Sequence, residues 1–587
     1  MDKLSDEHSE PPVQPERSPP LLSNQEIHEA LCAPGQFFEW ETVEIRGVPT
    51  RTWKNAPRNL GAVLAQGAAA GGSRDFIVLG EERISHVRHL QLVEALAASL
   101  VDELGVRKGD RVAIAMRNIP EWSIAFFAAT RIGAVAVALN SFGNGAELAY
   151  TLDDSGATVV IADGERIERL ATVPGALDGR TVIGTRLDDR KGTADLPAGI
   201  LPFAALTERE HGPVDVDVEP DDLATLFYTS GSTANPKGVA GTHRNACANL
   251  MNMMFVGART MQRDATPSAA PSGPTVQMLS VPLFHATGCH ATLVSTAAFG
   301  GTLVLIRRWD AEVALDLMER ERVTSFSGVP TMLWDLLNAP SVDRRDLSAL
   351  QRFGGGGAAS PPALSRRIRE RFPTVIAATG YGLTETSALT TSINGSDYQN
   401  RPASVGAPVP VAEVRIVGDD GSDAAPGDSG EIWVRGPNVC AGYWSRAELA
   451  AVPFEDGWLR SGDLGRFDDE GFLYIVDRLK DIVIRGGENI STLEVEAALM
   501  EHPAVLEATV FAVGHPTLGE EVAAVVHVAA GSPTTTEDLR AHVGTLLAAH
   551  KVPAHVWLSA EPLPRSDTGK LLKRAIRTTY SPLAGNA

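Results

Sequence analysis

The chain has 587 residues, 44% of them hydrophobic, and a formal net charge of −21 from 52 basic and 73 acidic side chains. That length allows two to four domains with sizeable cores, and the apolar content excludes a disordered chain. The excess of acid excludes a nucleic-acid or anionic-membrane binder, since neither surface would attract it, and leaves a polyanion to be met only in a local pocket.

The first segment, MDKLSDEHSEPPVQPERSPP, is polar and Pro-rich without an apolar centre; residues 1–25 read as a flexible tail rather than a secretory signal. Val93, Leu96, Ala97, Leu100 and Leu104 share one helical face, closed by Gly105. RVAIA (111–115) reads as a strand, Pro120 opens a helix through Ile132, and AVAVA (134–138) and TVVIA (158–162) are strands with a helix between them. The apolar region 112–139 is interrupted by Arg117, Asn118, Glu121 and Arg131, so no membrane span is expected. A second alternation follows: strands 276–281 and 302–306 flank an apolar helix, and helices at 310–322 and 361–372 come after. Such alternation predicts parallel sheets covered by helices. The stretch 258–275, ARTMQRDATPSAAPSGPT, reads as a polar loop. From about 410 short β segments appear (EVRIV, GEIWVRG, FLYIV), and past 480 a smaller unit begins. There Ser491 and Glu494 predict a capping box for a helix Thr492–Met500, followed by strands 505–513 and 521–528 and a helix near 536–549. The four cysteines, Cys32, Cys247, Cys289 and Cys440, are far apart and suggest neither a zinc site nor a disulfide framework; a reducing cytoplasm is the expected location.

One loop carries an unusual set of donors. YTSGSTANPKGV (228–239) follows an apolar lead-in and holds Thr229, Ser230, Gly231, Ser232, Thr233 and Lys237. Small hydroxyl residues and glycines let backbone N–H groups converge on an anion, and the lysine adds charge, a set that fits a polyphosphate. Gly231 and Lys237 stand six apart, as in the nucleotide loop GxxxxGK[ST], but Pro236 and Gly238 flank this lysine, so it is a different loop. A solvated Ser/Thr/Gly turn is the alternative for the loop taken alone.

Further segments follow in order: YGLTE (381–385), GDLG (462–465), DRLKD (477–481), GGENIS (486–491) and RSDTGKLLKR (565–574). With YTSGSTANPKG they resemble the motif series of the adenylate-forming enzymes, which comprise acyl-CoA synthetases, luciferases and peptide-synthetase adenylation domains. The resemblance spans roughly residues 55–580, and VPLFHATG (281–288) with GGENIS is most similar to the acyl-CoA synthetase branch. It implies an α/β fold: a large N-terminal domain of stacked α/β subdomains plus a β-rich subdomain (26–478), then a small mobile α+β C-terminal domain (479–587).

It also implies a reaction, activation of a carboxylic acid by ATP to an acyl-adenylate and pyrophosphate, then displacement of AMP by a thiol, usually of coenzyme A. By resemblance the 228–238 loop holds the β- and γ-phosphates, Thr384 and Glu385 serve catalysis, and Glu385 holds Mg²⁺. Lys570 bridges the carboxylate and α-phosphate. Tyr381 stacks on adenine beside Gly382, Asp463 takes the ribose hydroxyls, and Arg478 is its companion. Gly356, Gly357 and Ala358, from the run RFGGGGAAS at a strand end, lie beside the adenylate. His285 and Gly288 line the acyl pocket. Lys480 is the hinge, and Gly486 and Gly487 wall the pantetheine passage. The sequence departs from the pattern at Ala234, Thr379 and Lys480, where glycine, glutamine and aspartate are usual; no phosphate-binding charge is lost.

The leading expectation is an acid:CoA ligase for a hydrophobic acid, a medium- or long-chain fatty acid or a cyclic, steroid-like one. An adenylating enzyme that passes its acyl group to an amine or a carrier-protein thiol is the alternative, and an idle nucleotide-binding scaffold a third. A luciferase would need oxygen chemistry for which the sequence gives no separate signal. The acid and the oligomeric state, a homodimer included, stay open.

Overall fold

The computed structural model describes residues 22–189, 196–209, 212, 214–229, 236–263, 273–356, 362–444, 454–529, 531–565 and 571–584. Its first helix, Asn24–Leu31, starts inside the stretch expected to be tail, because Ser23 and Glu26 form a reciprocal capping box and Ile27 is fully buried. A hairpin of β1 (Trp40–Ile45) and β2 (Val48–Trp53) follows. Phe38 and Trp53 then pack on Phe255 of the helix His243–Arg263.

The chain next lays down β3 (Asp75–Leu79) and β4 (Glu82–Ser85), then leaves for a different sheet. That sheet contains β5 (Arg111–Ala115), β6 (Val135–Ala138), β7 (Val159–Asp163), β8 (Thr181–Thr185), β9 (Leu201–Pro202), β10 (Leu223–Thr229) and β11 (Lys237–Thr242). Strands β5, β6 and β7 are β-branched and alanine-rich runs buried on both faces, as parallel central strands require. The chain then returns to the first sheet with β12 (Val276–Leu279), β13 (Thr302–Leu305), β14 (Ser325–Gly328), β15 (Arg352–Gly355), β16 (Ile376–Tyr381), β17 (Thr391–Asn394) and β18 (Ala407–Pro408). That nine-stranded sheet runs in the order β18-β17-β16-β15-β14-β12-β13-β3-β4 and is parallel from β3 to β16.

One apolar core spans both sheets, joining Phe76 and Leu303 of one to Ile114 and Ala136 of the other. The helix Pro120–Arg131 lies within it with Trp122, Phe126 and Phe127 fully buried, which accounts for apolar residues on all its faces. A third, antiparallel sheet holds β19 (Glu413–Val417), β20 (Gly430–Arg435), β22 (Phe454–Glu455), β23 (Trp458–Phe467) and β24 (Leu473–Arg478), while β21 (Gly442–Tyr443) between them joins the edge of the eight-stranded sheet beside β11. A fourth sheet closes the chain: β25 (Val483–Arg485), β26 (Glu488–Ile490), β27 (Val505–His515), β28 (Gly519–Val528) and β29 (His555–Ser559). It has a core of its own around Val495, Leu499, Val510 and Val526.

Three local expectations need correction. Residues 258–263 are helical, not loop: Arg259 is buried and donates to the carbonyls of Ser392, Ala407 and Pro408, and Arg263 pairs with Asp397, so charged side chains face inward. Residues 264–272 of that stretch lie outside the described residues. The apolar helix between β12 and β13 is a π-helix over Thr287–Val294 before turning α-helical at Ser295–Ala298. The helix Thr492–Met500 is capped by the Ser491 hydroxyl, which accepts from the Glu494 N–H at 3.1 Å, but Glu494 does not complete the box; its carboxylate binds Lys551 at 2.7 Å. Among the described residues no helix is long and apolar enough to cross a membrane.

Candidate active site

The carboxyl ends of β10, β14, β15 and β16 are where a ligand would lie against parallel sheets of this kind. Thr229 ends β10 and Lys237 begins β11, and the two are opposite partners in the antiparallel pair, so the loop between them is closed at its base. Ser230, Gly231, Ser232 and Thr233 lie outside the described residues. The chain re-enters at Pro236, whose carbonyl accepts from the Tyr150 hydroxyl at 3.3 Å. Gly238 fits between two aromatics: a Cβ there would stand 3.1 Å from Tyr228 Cζ and 3.3 Å from Trp444 Cβ.

Strand β16 delivers Tyr381 and then turns sharply. A Cβ on Gly382 would fall 1.7 Å from the Ala388 carbonyl oxygen, so only glycine lets the strand pass its own returning chain. A 3₁₀ turn, Thr384–Thr386, presents Glu385, and Ser387 and Ala388 follow in left-handed conformations at φ 56° and 103°. Two buried asparagines hold this strained loop: Asn438 Nδ2 donates to the carbonyls of Thr386 and Leu389, and Asn249 Oδ1 accepts from the Leu389 N–H at 3.0 Å. The Cys440 N–H donates to the Glu385 carbonyl at 2.8 Å. The Glu385 side chain is held from β21, where the Tyr443 hydroxyl donates to Oε1 at 2.8 Å. The Lys237 ammonium lies 5.4 Å from the centre of the same phenol ring. Burial first, and then the Glu385 charge, raise the Tyr443 pKa, so the phenol stays a donor. Among the described residues no three ligating side chains cluster to hold a metal by themselves. A single carboxylate fits Mg²⁺, which keeps waters and takes phosphate oxygens for the rest of its shell.

A second constellation joins β16 to β23 and β24. The Tyr381 phenol donates to Asp463 Oδ2 at 2.8 Å, and Arg478 Nε stands 3.3 Å from Oδ1. Asp463 and Arg478 are cross-strand partners, which fixes this pairing in the register. Burial raises the Asp463 pKa above the ordinary value, while Arg478 and the Tyr381 hydrogen bond pull it back. Tyr381 is itself buried against Ile432 and Val434, so it is both a core residue and a wall of this site. At the end of β15, among the described residues, Gly356 has no atom within 4 Å of where a Cβ would be. Gly357 and Ala358 lie outside the described residues.

His285 sits against the Phe284 ring at 4.4 Å, and Phe284 meets Phe142 edge-on, giving an aromatic wall. Gly288 has a packing reason independent of any acyl chain: a Cβ would lie 2.2 Å from the Pro282 carbonyl oxygen. Lys480 is exposed, one residue past Leu479, whose N–H donates to the Gly462 carbonyl. Gly486 and Gly487, at φ 60° and 91°, turn the β25–β26 hairpin, whose tip is exposed. Lys570 lies outside the described residues, but both flanks are fixed. Arg565 pairs with Glu507, and its charge draws down the burial-raised pKa of Asp335 on the helix Pro330–Asn338 of the large unit. On the other side Lys573 is half-buried, 2.7 Å from Glu496 and 3.3 Å from the Thr492 hydroxyl, which in turn donates to Asp477 next to Arg478. Sequence reasoning missed Tyr443, Asn438, Asn249 and Lys573; only GYW at 442–444, aromatics after a glycine, offered a signal.

Comparison with known proteins agrees with this arrangement. Residues 64–444 match the AMP-binding enzyme family and residues 494–570 the AMP-binding enzyme C-terminal domain. A feruloyl-CoA synthase of Amycolatopsis sp. is 36% identical over 476 residues, covering 81% of this chain and 90% of that protein. A long-chain-fatty-acid–CoA ligase of Yersinia pestis is 34% identical over 527 residues, covering 86% and 91%. The amide bond synthetase McbA from Marinactinospora thermotolerans superposes with a TM-score of 0.77 at 29% identity, over 89% of this chain and 99% of that one. With its two α/β sheets, antiparallel subdomain and small C-terminal unit, this chain belongs to the AMP-binding enzymes and is an ATP-dependent, AMP-forming ligase of the acyl-CoA ligase type.

Proposed function

We propose that this protein joins a hydrophobic carboxylic acid to coenzyme A through an acyl-adenylate. The observation that carries the reading is the pair of constellations at the end of β16, Lys237–Tyr443–Glu385 on the turn that leaves the strand and Tyr381–Asp463–Arg478 at its last residue, one suited to a triphosphate and the other to a ribose. The Phe142–Phe284–His285 wall supports an apolar acid, a medium- or long-chain fatty acid or a cyclic one.

In the first step the carboxylate oxygen attacks the α-phosphorus, and the bond to pyrophosphate breaks. Both reactants are anions, so placed cations and N–H donors lower the barrier most. Thr229, Ser230, Gly231, Ser232, Thr233 and Lys237 grip the β- and γ-phosphates. Glu385, with Thr384 beside it, holds Mg²⁺, which when bound offsets the phosphate charge. Tyr381 and Gly382 wall the adenine, Asp463 accepts from the ribose hydroxyls with Arg478 beside it, and Gly356, Gly357 and Ala358 leave room for the adenylate. Lys570 bridges the carboxylate and α-phosphate. The C-terminal flank of Lys570 supports this: Lys573 is anchored next to Arg478 through Thr492 and Asp477.

In the second step the CoA sulfur attacks the acyl carbon, the bond to AMP breaks, and the thiol proton goes to solvent. Lys570 has to leave before that attack. We assign residues 26–478 and 479–587 to the two moving units, Lys480 to the pivot, and Gly486 and Gly487 to the pantetheine passage. The exposed hairpin tip is consistent with a passage not yet assembled. The likeness to an amide bond synthetase favours a second reading, transfer of the acyl group to an amine.

Lys570→Ala should lower adenylate formation by about 10²–10³, the cost of one lost electrostatic contact at a developing charge. It should leave thioester formation from a supplied acyl-adenylate intact. Equal loss of both half-reactions, measured separately, contradicts the role.

A further inference from the structure

Glu385 and Lys237 reach the site from different parts of the chain, yet one side chain touches both. Tyr443 stands opposite Val239 across the β21–β11 pair, and Lys237, two residues before Val239, lies on the same face and diagonal to the ring. Its hydroxyl donates to Glu385 Oε1 at 2.8 Å, and the Lys237 ammonium lies 5.4 Å from the ring centre. The neighbours fix the phenol in turn: the Trp444 N–H donates to the Gly238 carbonyl, Ala441 pairs with Ala240, and the Phe454 ring meets Tyr443 edge-on at 6.1 Å. The ring therefore has little freedom, and the loop carrying Glu385 is clamped from the same segment by Asn438 and Cys440.

We propose that Tyr443 is a positioning residue of the adenylation step. Its hydroxyl holds Glu385 by Oε1, leaving Oε2 as the oxygen for Mg²⁺·ATP. Its ring seats Lys237, so one phenol sets the spacing between the carboxylate and the ammonium that grip the triphosphate. Because β21 is, among the described residues, an edge strand paired to β11 alone, this spacing is carried by the sheet itself and not by the phosphate loop. The inference rests on the nucleotide reading of the site given above.

The test uses the full-length protein and titrates ATP by calorimetry, with and without Mg²⁺. In Tyr443→Phe the gain in ATP affinity given by Mg²⁺ should fall about tenfold, the measure of one hydrogen bond to a charged group. Affinity without Mg²⁺, the melting temperature and thioester formation from a supplied acyl-adenylate should stay as in the wild type. Tyr443→Leu, which also removes the ring under Lys237, should in addition weaken Mg²⁺-free ATP binding roughly threefold. In a Glu385→Gln background Tyr443→Phe should cause no further loss, since its partner charge is gone. A Mg²⁺-dependent gain unchanged in Tyr443→Phe overturns the inference while the reading of the site stands. A loss shared equally with the thioester step overturns it too, as a general effect on the fold. A wild-type protein that binds no ATP in either condition overturns the reading itself.

Discussion

Asp463 shows how much a single residue's surroundings decide. Its carboxylate is buried, and burial raises its pKa above the usual 3.8 despite the Arg478 charge beside it. A group shifted in this direction stabilises the fold fully below its unfolded pKa, and that contribution is lost as pH rises through the folded one. At neutral pH its charge therefore costs stability, which is consistent with a residue kept for binding. Asp463→Asn should weaken ATP binding by about tenfold or more while leaving Tm unchanged or higher. Wild-type affinity should fall as pH drops through the folded Asp463 pKa, and the variant should not follow it. Binding isotherms across that range, with a melting curve at each pH, check both parts; a Tm drop with unchanged affinity would make Asp463 a purely structural residue. This residue was legible in the sequence because GDLG is a contiguous signature. Tyr443 was not, because its partner Glu385 is 58 positions away and the contact exists only once β21 joins β11.

Among the elements, strands were readable wherever burial on both faces forced an unbroken apolar run, as in β5, read and found at 111–115. The helix from Pro120 was equally plain, since proline fixes its first turn and apolar residues cover all its sides. The end of the helix His243–Arg263 was hidden, because Arg259 and Arg263 look like surface residues and are in fact paid for by carbonyls and Asp397 brought in from over a hundred positions away. The π-form of Thr287–Val294 was hidden too, since composition does not distinguish it from an α-helix. Glycines separate by what surrounds them. Gly382→Ala should destabilise by about 1–3 kcal/mol, because the added carbon meets the Ala388 backbone. Gly356→Ala meets no atom of the described residues and should leave stability intact while weakening acyl-adenylate binding. Denaturant midpoints for the pair check the contrast, and equal midpoints would contradict it.

At the scale of the whole molecule the alternation of strands and helices predicted parallel sheets, and the motif order predicted a large unit followed by a small one; the fold has both. What the motifs withheld was how the units meet. Among the described residues polar contacts join them: Arg366 with Glu501 at 2.9 Å, the Ser491 hydroxyl on the Val476 carbonyl at 2.6 Å, and Thr492 on Asp477. Such polar contacts, with Leu479 and Lys480 exposed between the units, suit a unit that moves between two steps. Lys480→Pro removes backbone freedom at that turn, so adenylation should survive while thioester formation falls; single-turnover rates for each half-reaction would show it, and two unchanged rates would remove the pivot.

The most direct test of the central claim is a pooled-acid assay with ATP and Mg²⁺, with and without coenzyme A, reading AMP and acyl-CoA by mass spectrometry. The account predicts acyl-CoA from hydrophobic acids, with AMP formed in step with it. AMP or acyl-adenylate without any thioester, and an amide once an amine is offered, would contradict it.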